Sequence, residues 1–164
     1  VGSGYLGTLI AIELRVTEGN FPDFGEPLHW RQDRDLGGYN VLNMGIWYES
    51  LMRWVGPATE VYAMTKVTVR QRRDPNGLVR PVTVPDHVDV LCQIGGGAQA
   101  HLAFSAVTGL DAAGDIWLFG TKGTLHLDTT TLTLSGGRQG SCERSAGCAR
   151  PAPDRWRPSA QRQW

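Results

Sequence analysis

Hydrophobic and polar residues alternate along most of the chain, and this alternation predicts a protein built mainly of β-strands. The clearest strands run from Asp86 to Ile94 and from Ala98 to Val107, and three glycines join them. Glycine permits the positive φ angles of tight hairpin turns, so we expect these segments to pair. The pattern predicts one face buried and one open, with Val90, Cys92, Ile94, Ala98, Ala100, Leu102 and Phe104 buried and Asp89, Gln93, Gln99, His101 and Ser105 on the open face.

The same reasoning predicts further strands on both sides of this hairpin. Residues Ala58 to Arg70 alternate cleanly, and we expect Val61, Ala63, Val67 and Val69 to line a buried face while the other face is wet or contacts a partner. The other predicted strands are Tyr5–Val16, a hairpin of Asp115–Phe119 with Thr124–Leu127, and a final short strand, Thr131–Leu134. Between them, Gln71–Val79 is polar and turn-rich.

One segment has a helical period instead. From Tyr39 to Val55, apolar residues recur every three to four positions, and Gly56-Pro57 ends the pattern. A second stripe, Asn43, Trp47, Ser50 and Trp54, follows the same spacing and is neither plainly core nor plainly solvent-facing. Gly45 inside this helix suggests close packing against it.

These elements predict an α+β fold, an open and mainly antiparallel sheet of six or seven strands with one main helix packed on one face. Because the strands are joined largely by tight turns, we expect no parallel crossover. The long irregular connection from Glu18 to Leu36 is the exception, and connections of that length are usually functional.

Composition and charge separate the chain into two parts, residues 1–135 and a basic Arg/Pro-rich tail, 136–164. The tail carries six Arg against two acidic residues, a net charge of +4 in a chain whose total is zero. Its low apolar content predicts disorder, and we interpret it as a truncated or out-of-frame ending rather than a nucleic-acid-binding or lipid-binding arm. With no membrane-length apolar run and no signal peptide, we expect a cytoplasmic protein without membrane contact.

Common catalytic motifs are missing from the sequence. Gly2, Gly4 and Gly7 have dinucleotide-binding spacing, but the pattern after them predicts a strand instead of the required helix. No nucleophile elbow is present. The four His and three Cys lie scattered among unrelated elements, which predicts no metal site.

The order of segments resembles the C-terminal domain of the Gfo/Idh/MocA family of NAD(P)-dependent sugar and cyclitol oxidoreductases. The resemblance covers about Tyr5 to Leu134 and rests on a succession of motifs, namely Trp30-Arg31-Gln32-Asp33, Gly37-Gly38-x4-Asn43-x-Gly45-x-Trp47, the Gly95–Ser105 hairpin and Phe119–Leu127. In that family a Rossmann domain comes first and binds the cofactor. The C-terminal domain supplies an open sheet and a helix that closes the substrate site.

The resemblance implies a substrate-facing set of four residues, Arg31, Tyr39, Asn43 and Trp47, able to hydrogen-bond and stack against a polyol ring. Where such enzymes commonly carry Asp and, four residues later, His, this chain has Asn43 and Trp47, which cannot act as general acid or base. We therefore assign no catalytic residue. An alternative interpretation makes Trp47 part of the core and Asn43 a cap or bridge for the loop.

Two functions follow from the resemblance. In the first, the chain is the substrate-binding and oligomerisation domain of such an oxidoreductase, a fragment inactive alone that binds no cofactor itself, NAD(P) being implied for a full-length relative. In the second, it is a non-enzymatic binding or scaffold module that uses the open sheet as a dimer interface. Both predict a homo-oligomer through the open sheet face, which would otherwise lack cover. The expected ligand is a small polyol or sugar, and no nucleic-acid partner is expected.

Overall fold

A computed structural model describes residues 4–39 and 42–138 and shows a seven-stranded open sheet. Its spatial order is β2-β5-β6-β1-β7-β8-β9. The strands are β1 (Leu9–Glu18), β2 (Ala58–Lys66), β5 (His87–Ile94), β6 (Gln99–Ser105), β7 (Ala112–Gly120), β8 (Gly123–Asp128) and β9 (Thr133–Arg138), and a separate small hairpin is formed by β3 (Gln71–Arg73) and β4 (Val79–Pro81). The α+β fold with a mainly antiparallel sheet is confirmed.

The first strand lies in the middle of the sheet, between β6 and β7. It pairs with β7 antiparallel and with β6 parallel, with Leu14 opposite Leu102 in the parallel register. The expectation of no parallel pairing is therefore wrong. Tight turns restrict only strands that follow one another along the chain, whereas β1 and β6 are separated by the long loop, the helices and four strands, which is ample length for a crossover.

A twelve-residue helix packs on one face of the sheet, but it begins later than predicted. A short helix α1 (Arg34–Gly37) comes first and ends at Gly38, and the main helix α2 runs only from Met44 to Val55. The start differs because Gly38 and Asn43 both have positive φ angles, which a continuous right-handed helix does not allow. Gly45 has open space around it, so the expected close packing there is wrong.

The core lies between α2 and the sheet. Leu51 of α2 is fully buried, and the predicted inward residues of the β5–β6 hairpin are all buried. Ser105 departs from the prediction, because it is 2 % exposed and its Oγ accepts a hydrogen bond from the amide of Val107. No helix in the described residues is long and apolar enough to cross a membrane.

Strand β2 forms one edge of the sheet and is exposed on both faces. Val61 is 59 % exposed, although its partner in the register, Cys92, is buried. The predicted burial of Val61 and Ala63 is therefore wrong, whereas Val69 is buried as expected. The alternation correctly identified residues that share a face, but α2 does not extend over the edge strand to cover them.

The last strand, β9, extends beyond its predicted end. It pairs Gly136 with Leu125 and Arg138 with Gly123, so the first three residues of the predicted tail belong to the sheet. The rest of that tail, residues 139–164, lies outside the described residues.

Candidate functional site

A cavity of about 860 Å³ lies beside the helix-bearing face of the sheet. The long connection after β1 forms one wall, the start of α2 a second, and the β3–β4 hairpin with the segment before β5 a third. Its volume is within the range of typical small-molecule sites. The long connection, which the sequence predicted to be functional, is thus one wall of this cavity.

Local hydrogen bonds fix the shape of the long connection. The Asp23 carboxylate accepts from the amides of Gly25 and Glu26, which makes an Asx-type turn, and the Leu28 amide donates to the carbonyl of Arg73 at 2.8 Å. The second contact ties the connection to β3. Because both ends of the turn are held, the segment is a structured wall rather than a free loop.

His29 is the N-cap residue of a single 3-10 turn, Trp30–Gln32, which lies in the long connection that forms this wall of the cavity. Its Nδ1 accepts a hydrogen bond from the Arg31 amide at 3.3 Å, and the side-chain oxygen of Gln32 accepts one from the His29 amide. These two hydrogen bonds form a capping box. An accepting Nδ1 places the ring proton on Nε2. His29 lines the cavity, and sequence reasoning gave it no role, because a capping box of this composition has no strong sequence signature.

Arg31 and Asn43 are the two predicted site residues that line the cavity. The Arg31 guanidinium lies over the Trp30 ring, 4.3 Å from its centroid, and the side chain is exposed. This stacking limits the positions the guanidinium can take without using its hydrogen-bond donors.

Asn43 is the N-cap residue of α2, with φ at 56° and no hydrogen bond from its side chain to the helix amides. Its backbone carbonyl instead accepts from the amides of Ile46 and Trp47. Leu42 also has a positive φ of 52°, a conformation that is costly for a branched side chain. Asn43 thus lines the cavity, and its side chain makes no capping hydrogen bond.

Tyr39 and Trp47 are not among the residues that line the cavity. Tyr39 is 57 % exposed, and the Arg34 guanidinium lies 4.5 Å from its ring centroid. Trp47 is half-buried and packs against the hydrophobic core. The structure thus brings Arg31 and Asn43 together in one cavity and places the other two predicted residues elsewhere.

Arg72 is a cavity residue that sequence reasoning missed. It is 8 % exposed, its Nη1 donates to the Glu26 carbonyl at 2.9 Å, and its Nε has no hydrogen-bond partner among the described residues. The Glu26 carboxylate lies 3.7 Å from Nη1. The polar run around Arg72 predicted a solvated turn, although the turn Asp74–Gly77 already implied a hairpin in which alternate side chains point inward.

Asp86 also lines the cavity, but its carboxylate is already occupied. Both oxygens accept from the Thr68 amide, at 2.9 and 2.8 Å, and one also accepts from the Val69 amide at 3.0 Å. These bonds fix the chain between β2 and β3. Asp86 is therefore a structural anchor of the cavity wall rather than a free base.

The charges of the lining favour a neutral ligand rich in hydroxyl groups. Four carboxylates, those of Glu18, Asp23, Glu26 and Asp86, face two guanidiniums, those of Arg31 and Arg72. Carboxylates accept from hydroxyls and guanidiniums donate to them, so a polyol satisfies both, whereas an anion meets an excess of like charge.

Metal and thiol chemistry find no support in the described residues. No group of three or more His, Cys, Asp or Glu side chains is arranged there to hold a metal ion. Cys92 is buried in the core, and burial raises the pKa of its thiol, which keeps it protonated and unreactive.

Comparison with known families and structures gives a consistent result. The sequence model described as "GFO/IDH/MocA C-terminal domain" matches residues 1–126. No curated protein matches the chain in sequence.

Among solved structures, an NAD binding oxidoreductase from Klebsiella pneumoniae aligns with a TM-score of 0.76 and 25 % identity, over 87 % of this chain and 39 % of that one. Levoglucosan dehydrogenase in complex with NADH and L-sorbose aligns at 0.75 and 19 %, over 85 % and 39 %. A super-repressor mutant of Gal80p from Saccharomyces cerevisiae aligns at 0.63 and 19 %, also over 85 % and 39 %. The last two show a shared fold. The chain spans about two fifths of the length of each of these structures.

Proposed function

The chain belongs to the Gfo/Idh/MocA family, and from that premise we propose that it is the substrate-binding and oligomerisation domain of an NAD(P)-dependent oxidoreductase acting on a sugar or cyclitol. The observation that carries the proposal is the cavity in which Arg31 and Asn43, expected to face a substrate, meet the buried Arg72. Three donors and several carboxylate acceptors from separate elements converge there on one ligand-sized space.

In the proposed complex, Arg31 and Asn43 donate hydrogen bonds to ring hydroxyls at the open side of the cavity. The carboxylates of Glu18 and Glu26 accept from hydroxyls on the opposite side, and Arg72 holds the Glu26 backbone in place. The ligands of levoglucosan dehydrogenase, which is crystallised with L-sorbose and with levoglucosan, belong to the proposed class.

The two positions that commonly supply proton transfer in this family cannot supply it in this chain. Asn43 and Trp47 stand where the family commonly carries Asp and His, and neither side chain is a general acid or base. We propose that the chain positions a substrate and excludes water, while the reacting groups come from another part of the enzyme. By itself the chain is then inactive.

The described residues also do not fit a dinucleotide cofactor. A pyrophosphate cradle needs a strand, a glycine-rich turn and a helix in succession. Here Gly4 and Gly7 precede β1, and Gly95–Gly97 joins two strands in a hairpin. We propose that NAD(P) is bound by a separate domain and approaches the cavity from outside this chain.

The second part of the proposal is a homo-oligomer through the open face of the sheet, the face opposite α2. Large apolar side chains stand on it, among them Leu91 at 59 % exposure, together with Trp117, which stacks on His126 at 3.8 Å between ring centroids. A sheet face of this composition is stabilised when a second sheet covers it.

A ligand-binding measurement tests the cavity. Saturation-transfer NMR with a panel of neutral sugars and cyclitols is expected to detect binding by the purified chain. Arg31→Ala is expected to weaken this binding about tenfold or more, because a hydrogen bond from a charged donor contributes roughly 1.5–3 kcal/mol. Arg53→Ala is the matched control, since Arg53 is an exposed helix residue paired with Glu49 and does not line this cavity. Equal loss in both variants, or no binding by any sugar, would contradict the proposal.

The second candidate function is a non-enzymatic binding or scaffold module. Asn43 and Trp47 favour it, because they remove the family's proton-transfer pair, and so does the likeness in fold to Gal80p, whose structure is that of a super-repressor mutant. Supplying a Rossmann domain from a related oxidoreductase separates the two functions. Sugar-dependent reduction of NAD(P) supports the enzyme, and sugar binding without turnover supports the module.

A further inference from the structure

Among the described residues, no strand pairs with the outer edge of β2. All but the first of the nine residues of this strand are exposed, and it pairs with a neighbour, β5, on one side only. Tyr62 and Met64 are 71 % and 79 % exposed on one face, and Val61 is 59 % exposed on the other. A free edge of this length presents a row of unpaired amides and carbonyls to solvent.

The devices that usually block an edge are missing from the middle of β2. Pairing with β5 is continuous from Glu60 to Lys66, and the one irregularity lies before Glu60, between Ala58 and Glu60. The five residues between those two charges are Val, Tyr, Ala, Met and Thr, with no proline and no charge. Three of these five, Val, Tyr and Thr, rank high in β-propensity.

The two charges are placed symmetrically. Glu60 and Lys66 each lie three residues from Ala63, on the same face of the strand as Tyr62 and Met64. We propose that β2 pairs antiparallel with β2 of a second copy of this chain, in a register centred on Ala63. Each Glu60 then stands directly opposite the partner copy's Lys66, so two opposite-charge pairs flank the central uncharged segment.

This register also matches the side chains between the charges. It places Tyr62 opposite Met64 beside Leu91 on the open face, and Val61 opposite Thr65 on the other face. The backbone N–H and C=O groups of alternate residues point outward from an edge strand. Whether these are the odd-numbered or the even-numbered residues of β2, a two-fold axis at Ala63 places each outward N–H opposite a carbonyl of the partner strand. Because the interface uses the same strand of both copies, it closes at a dimer and does not propagate into a filament.

Charge reversal tests the register. Sedimentation of the full chain over a wide concentration range is expected to show reversible dimers, and Glu60→Lys or Lys66→Glu alone is expected to raise the dissociation constant about tenfold or more, because two favourable cross-strand pairs become repulsive. The double variant Glu60→Lys/Lys66→Glu is expected to restore it. An equimolar mixture of the two single variants is expected to form heterodimers, since each strand then carries two like charges opposite to those of its partner.

Two controls separate this interface from the open-face dimer. Glu13→Arg changes an exposed residue in the centre of the open face, on β1, and is expected to leave the edge-to-edge dimer intact. Circular dichroism and thermal unfolding verify that every variant is folded. Ala63→Lys, which sets two like charges side by side at the axis, is expected to give a folded monomer where no other interface forms.

The outcomes are decisive in either direction. A folded wild-type chain that stays monomeric at the highest concentration overturns the edge-to-edge interface. Dimers that respond to Glu13→Arg but not to either charge reversal overturn it as well, while leaving the open-face proposal standing. Failure of the mixed single variants to associate overturns the register.

Discussion

At the residue scale, Asn43 is the side chain whose role depends most on the local backbone. Its left-handed φ is required to start α2, and its side chain makes no capping hydrogen bond. The backbone conformation and the proposed recognition of a substrate therefore depend on different parts of one residue. Asn is among the few residues that tolerate this backbone region at low cost, and Asn43 also lines the cavity.

Substituting Asn43 separates the two roles. Asn43→Gly keeps the left-handed conformation and removes the amide, so the free energy of unfolding is expected to change by less than about 0.5 kcal/mol while sugar binding weakens. Asn43→Ala removes the same amide but is expected to cost about 1 kcal/mol in stability, because Ala is strained at positive φ. Urea denaturation and ligand titration of both variants check this, and equal stability of the two would contradict the backbone argument.

The four substrate-facing residues were proposed from the resemblance to the family, and two of them, Arg31 and Asn43, line the cavity. Both lie in a short stretch of chain around the glycine pair. Arg72 was missed because it reaches the cavity through the fold of a hairpin that lies well after Arg31 and Asn43 in sequence. By sequence spacing, Trp47 shares a helical stripe with Asn43. However, Asn43 lies before the first helical residue and has a left-handed backbone, and this difference rotates the two side chains apart.

At the scale of elements, the fold depends on how α2 is held against the sheet. Leu51 is the single residue of α2 that is fully buried, and around it Met44, Tyr48 and Val55 pack partly buried against the core. The Tyr48 hydroxyl also accepts a hydrogen bond from the amide of Ala58 at 2.9 Å, which links the helix to the start of β2. The helix is thus held by one anchor and several partial contacts.

Truncating the anchor is expected to have a large effect. Leu51→Ala is expected to lower the free energy of unfolding by about 2–5 kcal/mol through lost burial and a residual cavity. Ile46→Ala is the control in the same helix, because Ile46 is 67 % exposed and its loss is expected to change stability by less than about 0.5 kcal/mol. Chemical denaturation measures both, and similar values for the two variants would show that α2 is not anchored at Leu51.

The β8–β9 turn carries a pH-dependent contact at Asp128. Hydrogen bonds from Thr130 and Thr131 hold the pKa of its carboxyl well below the ordinary value. A lowered pKa in the folded state means that the ionised carboxylate stabilises the turn above about pH 4, the ordinary range for Asp, and that this stabilisation is lost as pH falls further.

Thermal unfolding of wild type and Asp128→Asn at several pH values checks this. The wild type is expected to melt higher than the variant near pH 6, and the difference is expected to shrink progressively below about pH 4. A difference in melting temperature that stays constant down to pH 2 would show that the Asp128 carboxylate does not stabilise the turn through its charge.

Most elements were predictable, and two of the errors, the burial of β2 and the pairing of β1, share one cause. The alternation predicted the β5–β6 hairpin correctly, because the period of two in the side chains of a strand does not depend on distant contacts. The burial of β2 and the pairing partners of β1 were predicted wrongly. Both depend on which other strands and helices lie next to them in the fold, and a local sequence pattern does not encode this.

In the molecule as a whole, the two faces of the sheet differ. The helix-bearing face has a polar cavity beside it, and the opposite face is open and aromatic. In the proposed enzyme the first binds substrate and the second binds another copy, while the cofactor comes from elsewhere. Cofactor binding is therefore the most direct test of this proposal, because a domain that binds only the sugar is not expected to bind a dinucleotide.

Isothermal titration calorimetry of NADH and NADPH into the purified chain measures this directly. No saturable heat is expected for the chain alone, and binding is expected only when a Rossmann domain of a related oxidoreductase is supplied. Saturable binding of either dinucleotide by the isolated chain at micromolar concentration would contradict it.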